Sequence, residues 1–113
     1  MTGQSAAISQ TTLFTPVTSG LYSEIAYINQ IAPFCTTVGS GEIHFYFYWT
    51  DSGGANNKAA VMNFVTGFAA DTEVTSNFTF YAIGGQPISY AFFYTPCTSG
   101  TAMYDVHIAL NTN

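Results

Sequence analysis

Residues 42–50 read Glu42-Ile43-His44-Phe45-Tyr46-Phe47-Tyr48-Trp49-Thr50, and this stretch decides the fold class. Side chains of a β-strand point alternately to the two faces of a sheet, so every second residue shares a face. One of the two resulting sets is wholly apolar: Ile43, Phe45, Phe47 and Trp49. The pattern predicts a strand that turns this set toward the core, while its other face also carries aromatic rings.

Similar runs, rich in Thr, Val, Ile, Phe and Tyr, recur along the chain between Gly, Pro and Asn clusters that signal turns. We predict strands at 10–15, 21–31, 42–50, 59–66, 73–82, 87–95 and 102–110, with a further short strand near 6–9. The 113 residues suit one domain and no more. The sequence therefore predicts an all-β fold, an antiparallel jelly-roll-like β-sandwich of about seven to eight strands, in a single domain over residues 1–113.

The composition is apolar and almost without charge. Hydrophobic residues make up 48% and aromatic residues 17%, whereas charged residues are only 6%. Lys58 is the one lysine or arginine and the net charge is −5, which argues against nucleic-acid binding and against anionic membranes. Few charges protect a monomer poorly against association, so the composition favours an assembled protein. Residues 1–10 also lack the basic and apolar regions of a signal peptide.

The order of the strands predicts which loops lie together. If every strand reverses direction, the loops at 16–20, 51–58 and 83–87 share one end of the sandwich, and those at 32–41, 67–72 and 95–101 share the other. Cys35 and Cys97 both fall at the second end. A disulfide between them is allowed, and two unpaired thiols suit the spacing equally well.

Residues suited to catalysis are few. Asp105 and His107 are two residues apart and so project from one strand face, where the carboxylate could orient the imidazole. The same spacing is expected of an ordinary polar face. Ligands are not clustered in the manner of a zinc site, and no glycine-rich loop opens a helix. We predict no enzyme activity, no metal and no cofactor.

The strongest functional signal is aromatic. Tyrosine and phenylalanine are favoured at the cores of protein interfaces, and aromatic rings also stack on sugar rings. Either reading selects the same candidate binding or interface residues: His44, Tyr46, Tyr48, Tyr81 and Phe93.

Two stretches resemble known jelly rolls. The first resembles the second-strand entry of C1q/TNF-like jelly rolls, and it reads Thr12-Leu13-Phe14-Thr15-Pro16-Val17-Thr18-Ser19-Gly20-Leu21-Tyr22. The second resembles the last two strands of small jelly-roll proteins of tailed phages. It reads Gly84-Gly85-Gln86-Pro87-Ile88-Ser89-Tyr90, followed by Met103-Tyr104-Asp105-Val106-His107-Ile108-Ala109-Leu110. The second strand of that pattern carries an apolar residue where Glu24 stands here.

The resemblance implies a compact, often trimeric β-sandwich that decorates capsids or sits in fibres, and it brings no catalytic residues. The leading hypothesis is therefore a virion structural protein, a capsid decoration or fibre subunit on the surface of the particle. Its expected partners are its own copies, as a homotrimer, and the major capsid protein. The alternative is a carbohydrate- or receptor-binding β-sandwich module.

Overall fold

The strands follow the sequence pattern closely. The computed structural model describes residues 1–31, 42–54, 56–65, 73–95 and 103–112. Within these ranges lie seven strands: β1 (Ile8–Phe14), β2 (Gly20–Ile31), β3 (Glu42–Thr50), β4 (Asn56–Val65), β5 (Glu73–Ala82), β6 (Ile88–Thr95) and β7 (Met103–Thr112). The predicted all-β class is confirmed. The short strand expected near 6–9 is not separate, because its last two residues begin β1.

The strands form two antiparallel sheets that face each other as a sandwich. One sheet has the order β1-β6-β3-β4 and the other β5-β2-β7. Successive strands lie in different sheets except β3 and β4, which are joined as a hairpin. The predicted antiparallel sandwich is therefore confirmed, and β3 lies inside the four-stranded sheet, paired on both sides.

Aromatic side chains join the two sheets. Phe45 and Phe47 of β3 are fully buried, as the alternation predicted. The Phe47 ring lies edge-on to Phe78 and Phe80 of the opposite sheet, with centroid distances of 5.6 and 5.3 Å. Burial of each such ring contributes about 1.5–3 kcal/mol, and a favourable edge-on pair adds about 0.5–1.5 kcal/mol. Alternating apolar residues of β3 and β5 thus fasten one sheet to the other.

Backbone hydrogen bonds gather three turns at one end of the sandwich. The Gly85 amide donates to the Pro16 carbonyl at 2.8 Å, and the Ile83 amide donates to the Thr50 carbonyl at 3.0 Å. A Cβ at Gly84 would come within 2.6 Å of a backbone oxygen in the β1–β2 loop, so this close approach requires glycine. The predicted proximity of the turns after β1, β3 and β5 is confirmed.

The opposite end of the sandwich is only partly described. Cys35 and Cys97 lie outside the described residues, and so do most of the loops that connect strands there. The predicted disulfide therefore stays a prediction.

Strand β2 carries two polar side chains into the core. Glu24 is fully buried on the inner face, opposite Phe78 and Leu110 in the two neighbouring strands. The Ser76 hydroxyl donates to its carboxylate, at 2.9 and 3.1 Å from the two oxygens. Burial raises the pKa of Glu24 from 4.5 to about 7, although the Ser76 hydrogen bond lowers it in part. Glu24 thus occupies an inward position of β2, although it is an acid.

This raised pKa predicts a pH-dependent stability. Between pH 4.5 and about 7, the native protein holds a proton on Glu24 that the unfolded chain releases. The free energy of unfolding therefore falls as pH rises through this window, by about 3 kcal/mol in total. Glu24→Gln keeps the shape but cannot ionise, so its advantage over the natural protein should grow from pH 4.5 to pH 8. Urea unfolding followed by Trp49 fluorescence measures it.

The exposed Glu73 provides the control for this experiment, since Glu73→Gln removes a carboxylate outside the core. It should give no gain in the free energy of unfolding at pH 8 comparable with that of Glu24→Gln. A Glu24→Gln advantage that is the same at pH 4.5 and pH 8 would contradict the ionisation of a buried carboxyl.

Gln30 is the second buried polar residue of β2, and among the described residues neither its side-chain oxygen nor its nitrogen has a hydrogen-bond partner. An unsatisfied buried polar group costs about 1–3 kcal/mol. Gln30→Met keeps the length and removes both polar atoms, so we expect the free energy of unfolding to rise by about that amount. Gln10→Met, at an exposed position with a bonded amide, should give no such gain.

Candidate functional site

Four of the five predicted site residues lie together on the outer face of the four-stranded sheet. His44, Tyr46 and Tyr48 follow one another on β3, and Phe93 of β6 stands opposite His44. The rings of His44 and Tyr46 are near-parallel with centroids 6.5 Å apart, as are those of Tyr46 and Tyr48. Phe93 meets Tyr46 edge-on at 5.1 Å and is 55% exposed. We call these four residues the aromatic platform.

The platform is a direct product of strand geometry. Inward residues of β3 are held by the core, and the pleat then forces the three intervening rings outward on one line. Tyr46 packs against rings on three sides, which limits the conformations open to its side chain. Rings fixed in this way lose little conformational entropy when a ligand stacks on them.

A groove runs beside the platform, between β3 and β1. Its floor contains small residues, because Ala91 lies opposite Tyr46 and Ser89 lies opposite Tyr48 in the neighbouring strand β6. Both are almost fully buried. The Gln10 side-chain amide of β1 donates to the Ser89 hydroxyl at 2.8 Å and so ties the two sides together. The groove has a volume of about 340 Å³ and is lined by Ala7, Ile8, Ser9, Gln10, Tyr48, Ala91, Phe92 and Phe93.

Charged residues flank the platform rather than line the groove, and Lys58 of β4 lies opposite Tyr48 in the ladder. None of the groove-lining residues carries a charge. The ionisable pair lies at one end of the platform, where Nε2 of His44 is 2.9 Å from Oε2 of Glu42. Exposed rings and neutral amide and hydroxyl groups can hold a neutral molecule that has both apolar faces and many hydrogen-bonding groups.

Tyr81, the fifth predicted residue, is not part of this group. It lies on β5 in the other sheet and is 42% exposed, facing away from the platform on the far side of the sandwich. Its neighbour across the ladder is Leu21, and Ile25 lies further along the same face. These three residues form a separate apolar strip.

The sequence pattern did not identify Gln10, Ser89 and Ala91 as site residues. They are small or unremarkable by type, and they reach the platform through pairing between strands far apart in the chain. A signal was present in the sequence, since Ser89 and Ala91 alternate with the bulky Tyr90 and Phe92. Such alternation of small and large residues indicates a trough on one sheet face.

Asp105 and His107 have other contacts. The Asp105 carboxylate accepts a hydrogen bond from the Gly3 amide at 2.8 Å. The His107 ring lies 6.2 Å from that of Tyr27, whose hydroxyl donates to Glu73. In the part of the chain that is described, no three His, Cys, Asp or Glu residues are grouped to hold a metal ion. The absence of enzyme activity stays a prediction.

An apolar cleft of about 270 Å³ opens between β1 and the inner face of the other sheet. It is lined by Leu13, Phe14, Tyr22, Leu110 and Thr112. The Tyr22 hydroxyl is already engaged by the Thr18 carbonyl at 3.1 Å. A specific site needs a few placed polar groups among its apolar ones, and the groove beside the platform meets that need better.

Comparison with known proteins gives similarity in layout only. The sequence matches no protein-family profile and no curated protein. The CBM22-1 xylan-binding domain of Paenibacillus barcinonensis Xyn10C has a TM-score of 0.44 and 13% identity, over 92% of this chain and 72% of that one. A family 16 carbohydrate-binding module has a TM-score of 0.38 and 15% identity, over 96% and 67%. Similarity this low says nothing about a ligand or a virion role.

Within the described ranges, no helix has the length and apolar character needed to cross a membrane.

Proposed function

We propose that this chain is a carbohydrate-binding β-sandwich module, which holds a neutral glycan in the groove beside the aromatic platform. The single observation that carries the proposal is the row of near-parallel rings at His44, Tyr46 and Tyr48, half-exposed beside an uncharged trough. The ring faces carry negative partial charge, and the C–H-rich faces of pyranose rings complement them.

The polar groups of the groove suit the rim of such a ligand. Gln10 and Ser9 supply an amide and a hydroxyl to the lining of the groove, beside Tyr48. Sugars have hydroxyls around the ring edge and apolar C–H groups on the ring faces, so a groove with stacked rings and neutral polar groups matches both. A charged ligand would find no counter-charge among the groove-lining residues.

Removal of a single platform ring should weaken this binding. Tyr46→Ala and Tyr48→Ala each remove a stacking face, and each should weaken binding of a neutral polysaccharide at least about tenfold, a loss of about 1.4 kcal/mol. Affinity electrophoresis against a panel of soluble neutral polysaccharides identifies a ligand, and calorimetry measures the loss. Tyr81→Ala is the matched control, because it removes a tyrosine from the other face of the sandwich. Equal losses in all three variants would contradict the proposal.

Filling the groove provides a second test. Ala91 lies in the floor of the groove on an outer face, so Ala91→Leu should block the trough without entering the core between the sheets. We expect binding to fall at least about tenfold, and circular dichroism shows that the variant is folded, since Ala91 is almost fully buried. Ala109→Leu, on the exposed outer face of β7, should leave binding unchanged. Full binding by Ala91→Leu would place the ligand elsewhere.

A virion role is the second candidate, and it rests on the shortage of charge together with the 55% exposure of Phe93. In that case the platform is covered by other copies of this chain in a trimeric decoration subunit, which the major capsid protein would hold on the particle surface. Native mass spectrometry tests it: a trimer that Tyr46→Ala and Phe93→Ala dissociate would support this function over glycan binding.

A further inference from the structure

The outer edge of β5 presents a long run of backbone to which, among the described residues, no strand is hydrogen-bonded. β5 pairs with β2 through ten consecutive residue pairs, from Glu73 with Asn29 to Ala82 with Gly20, without a register shift. In the described part of the chain this is its only ladder. The amide and carbonyl groups that point away from β2 therefore form a flat and regular edge.

Within its own residues after Glu73, β5 also lacks the charges, prolines and bulges that usually protect an edge strand. Charged side chains, proline, bulges or a covering segment discourage pairing with another chain. After Glu73 the strand has no charged residue, no proline and no glycine up to Ala82.

The other sheet edges differ in this respect. β1 is interrupted by two register shifts, and the ladder of the edge strand β4 by one, while β4 also contains Lys58. β7 is covered in part by residues 1–4, since Gln4 and Tyr104 exchange two backbone hydrogen bonds of 2.9 Å. Because the other edges are protected in these ways, we expect pairing with another chain at β5 rather than at every edge.

We propose that β5 pairs antiparallel with β5 of a second copy of this chain, about a two-fold axis at Asn77. The pairing joins two three-stranded sheets into one continuous sheet of six strands. It also covers Val74 and Phe78, inner-face residues that the edge position leaves only half-buried. An isologous contact of this kind closes on itself and gives a dimer.

The chemistry of the edge fits a second copy. With the axis at Asn77, Thr75 lies opposite Thr79 of the other chain, and the two Asn77 residues lie opposite each other. Glu73, the one charged residue of the strand, then lies opposite the second copy's Tyr81. The two Glu73 side chains are about 27 Å apart at the rise of an antiparallel strand. At physiological salt this is well beyond the screening length of about 8 Å, so like charges do not oppose the pairing.

The symmetry has a consequence for ligand binding, and this step rests on the proposed function. A two-fold axis perpendicular to the sheet keeps both four-stranded sheets on the same side, so the two aromatic platforms face the same way. A polysaccharide that reaches both grooves would gain avidity, whereas a short oligosaccharide would not.

Charge placed on the edge tests the dimer directly. Thr75→Lys with Thr79→Lys, both at exposed positions, sets lysines opposite each other twice across the axis. Like charges directly opposite destabilise a strand pair, so the dimer dissociation constant should rise at least about tenfold. The matched control is Ala109→Lys with Asn111→Lys, exposed on the other edge strand of the same sheet. Sedimentation equilibrium measures the constants, and circular dichroism shows that each variant is folded.

Mixing provides the rescue. The double lysine variant combined with Thr75→Glu/Thr79→Glu should form heterodimers, since opposite charges then face each other across the axis. Amides of β5 should also become more protected from hydrogen exchange as protein concentration rises, and those of β1 should not. The proposal would be overturned if the natural protein were monomeric or trimeric at 0.1 mM (about the upper range for weak complexes). It would also be overturned if the lysine variant still dimerised or if the control dissociated equally.

The avidity step has a separate readout. The double lysine variant should bind a long polysaccharide more weakly than the natural protein and bind a short oligosaccharide equally well. Loss of both would contradict the avidity step, and no glycan binding by either protein would contradict the proposed function alone. Neither result changes the sedimentation test of the dimer.

Discussion

The pleat of β3 is the constraint on which the rest of the molecule depends. This strand is hydrogen-bonded on both sides, so its residues have no freedom to shift from one face to the other without breaking two ladders. Phe45 packs in the core against Phe92 of the neighbouring strand β6, and Phe47 packs against Phe80 of the facing sheet. Tyr46 and Tyr48 must then stand on the outer face. Core formation and presentation of the platform are therefore one event, because folding itself fixes the exposed rings in place.

The core tolerates polar groups on the facing sheet for a related reason. β2 is the central strand of only three, and its inward positions face the large rings supplied by β3 and β5. Glu24 obtains a hydroxyl partner from Ser76, and burial keeps its pKa near 7, so the proton on the carboxyl removes much of the cost of a buried charge. Gln30 has no such partner in the described part of the chain. The aromatic contacts between the sheets must offset both residues.

Local pattern was enough to predict most of the fold and part of the site. Alternation of residue types is set by neighbours in the chain, and it correctly located the strands, the inward set of β3 and the outward set that became the platform. Partners across strands are set by long-range pairing, which no local pattern contains. That is why Gln10 and Ala91 were not foreseen beside Tyr48, and why Tyr81 was grouped with residues on the other side of the sandwich. Glu24 shows the converse, since an acid stands where the resembling pattern has an apolar residue, and it is nevertheless buried at an inward position of β2.

Scarcity of charge links the two proposed interactions of this protein. An uncharged groove favours a neutral ligand, and an uncharged strand edge favours pairing with a like strand, because neither has to desolvate or repel an ion. The same composition would also promote unspecific association at every open edge. Register shifts in β1 and the cover that residues 1–4 give to β7 restrict that risk on one side of the sandwich. On the other side, β4 has a register shift and a lysine. Among the described residues, β5 is the regular edge, with its single charge at one end, and pairing there would turn a general tendency to associate into one defined contact.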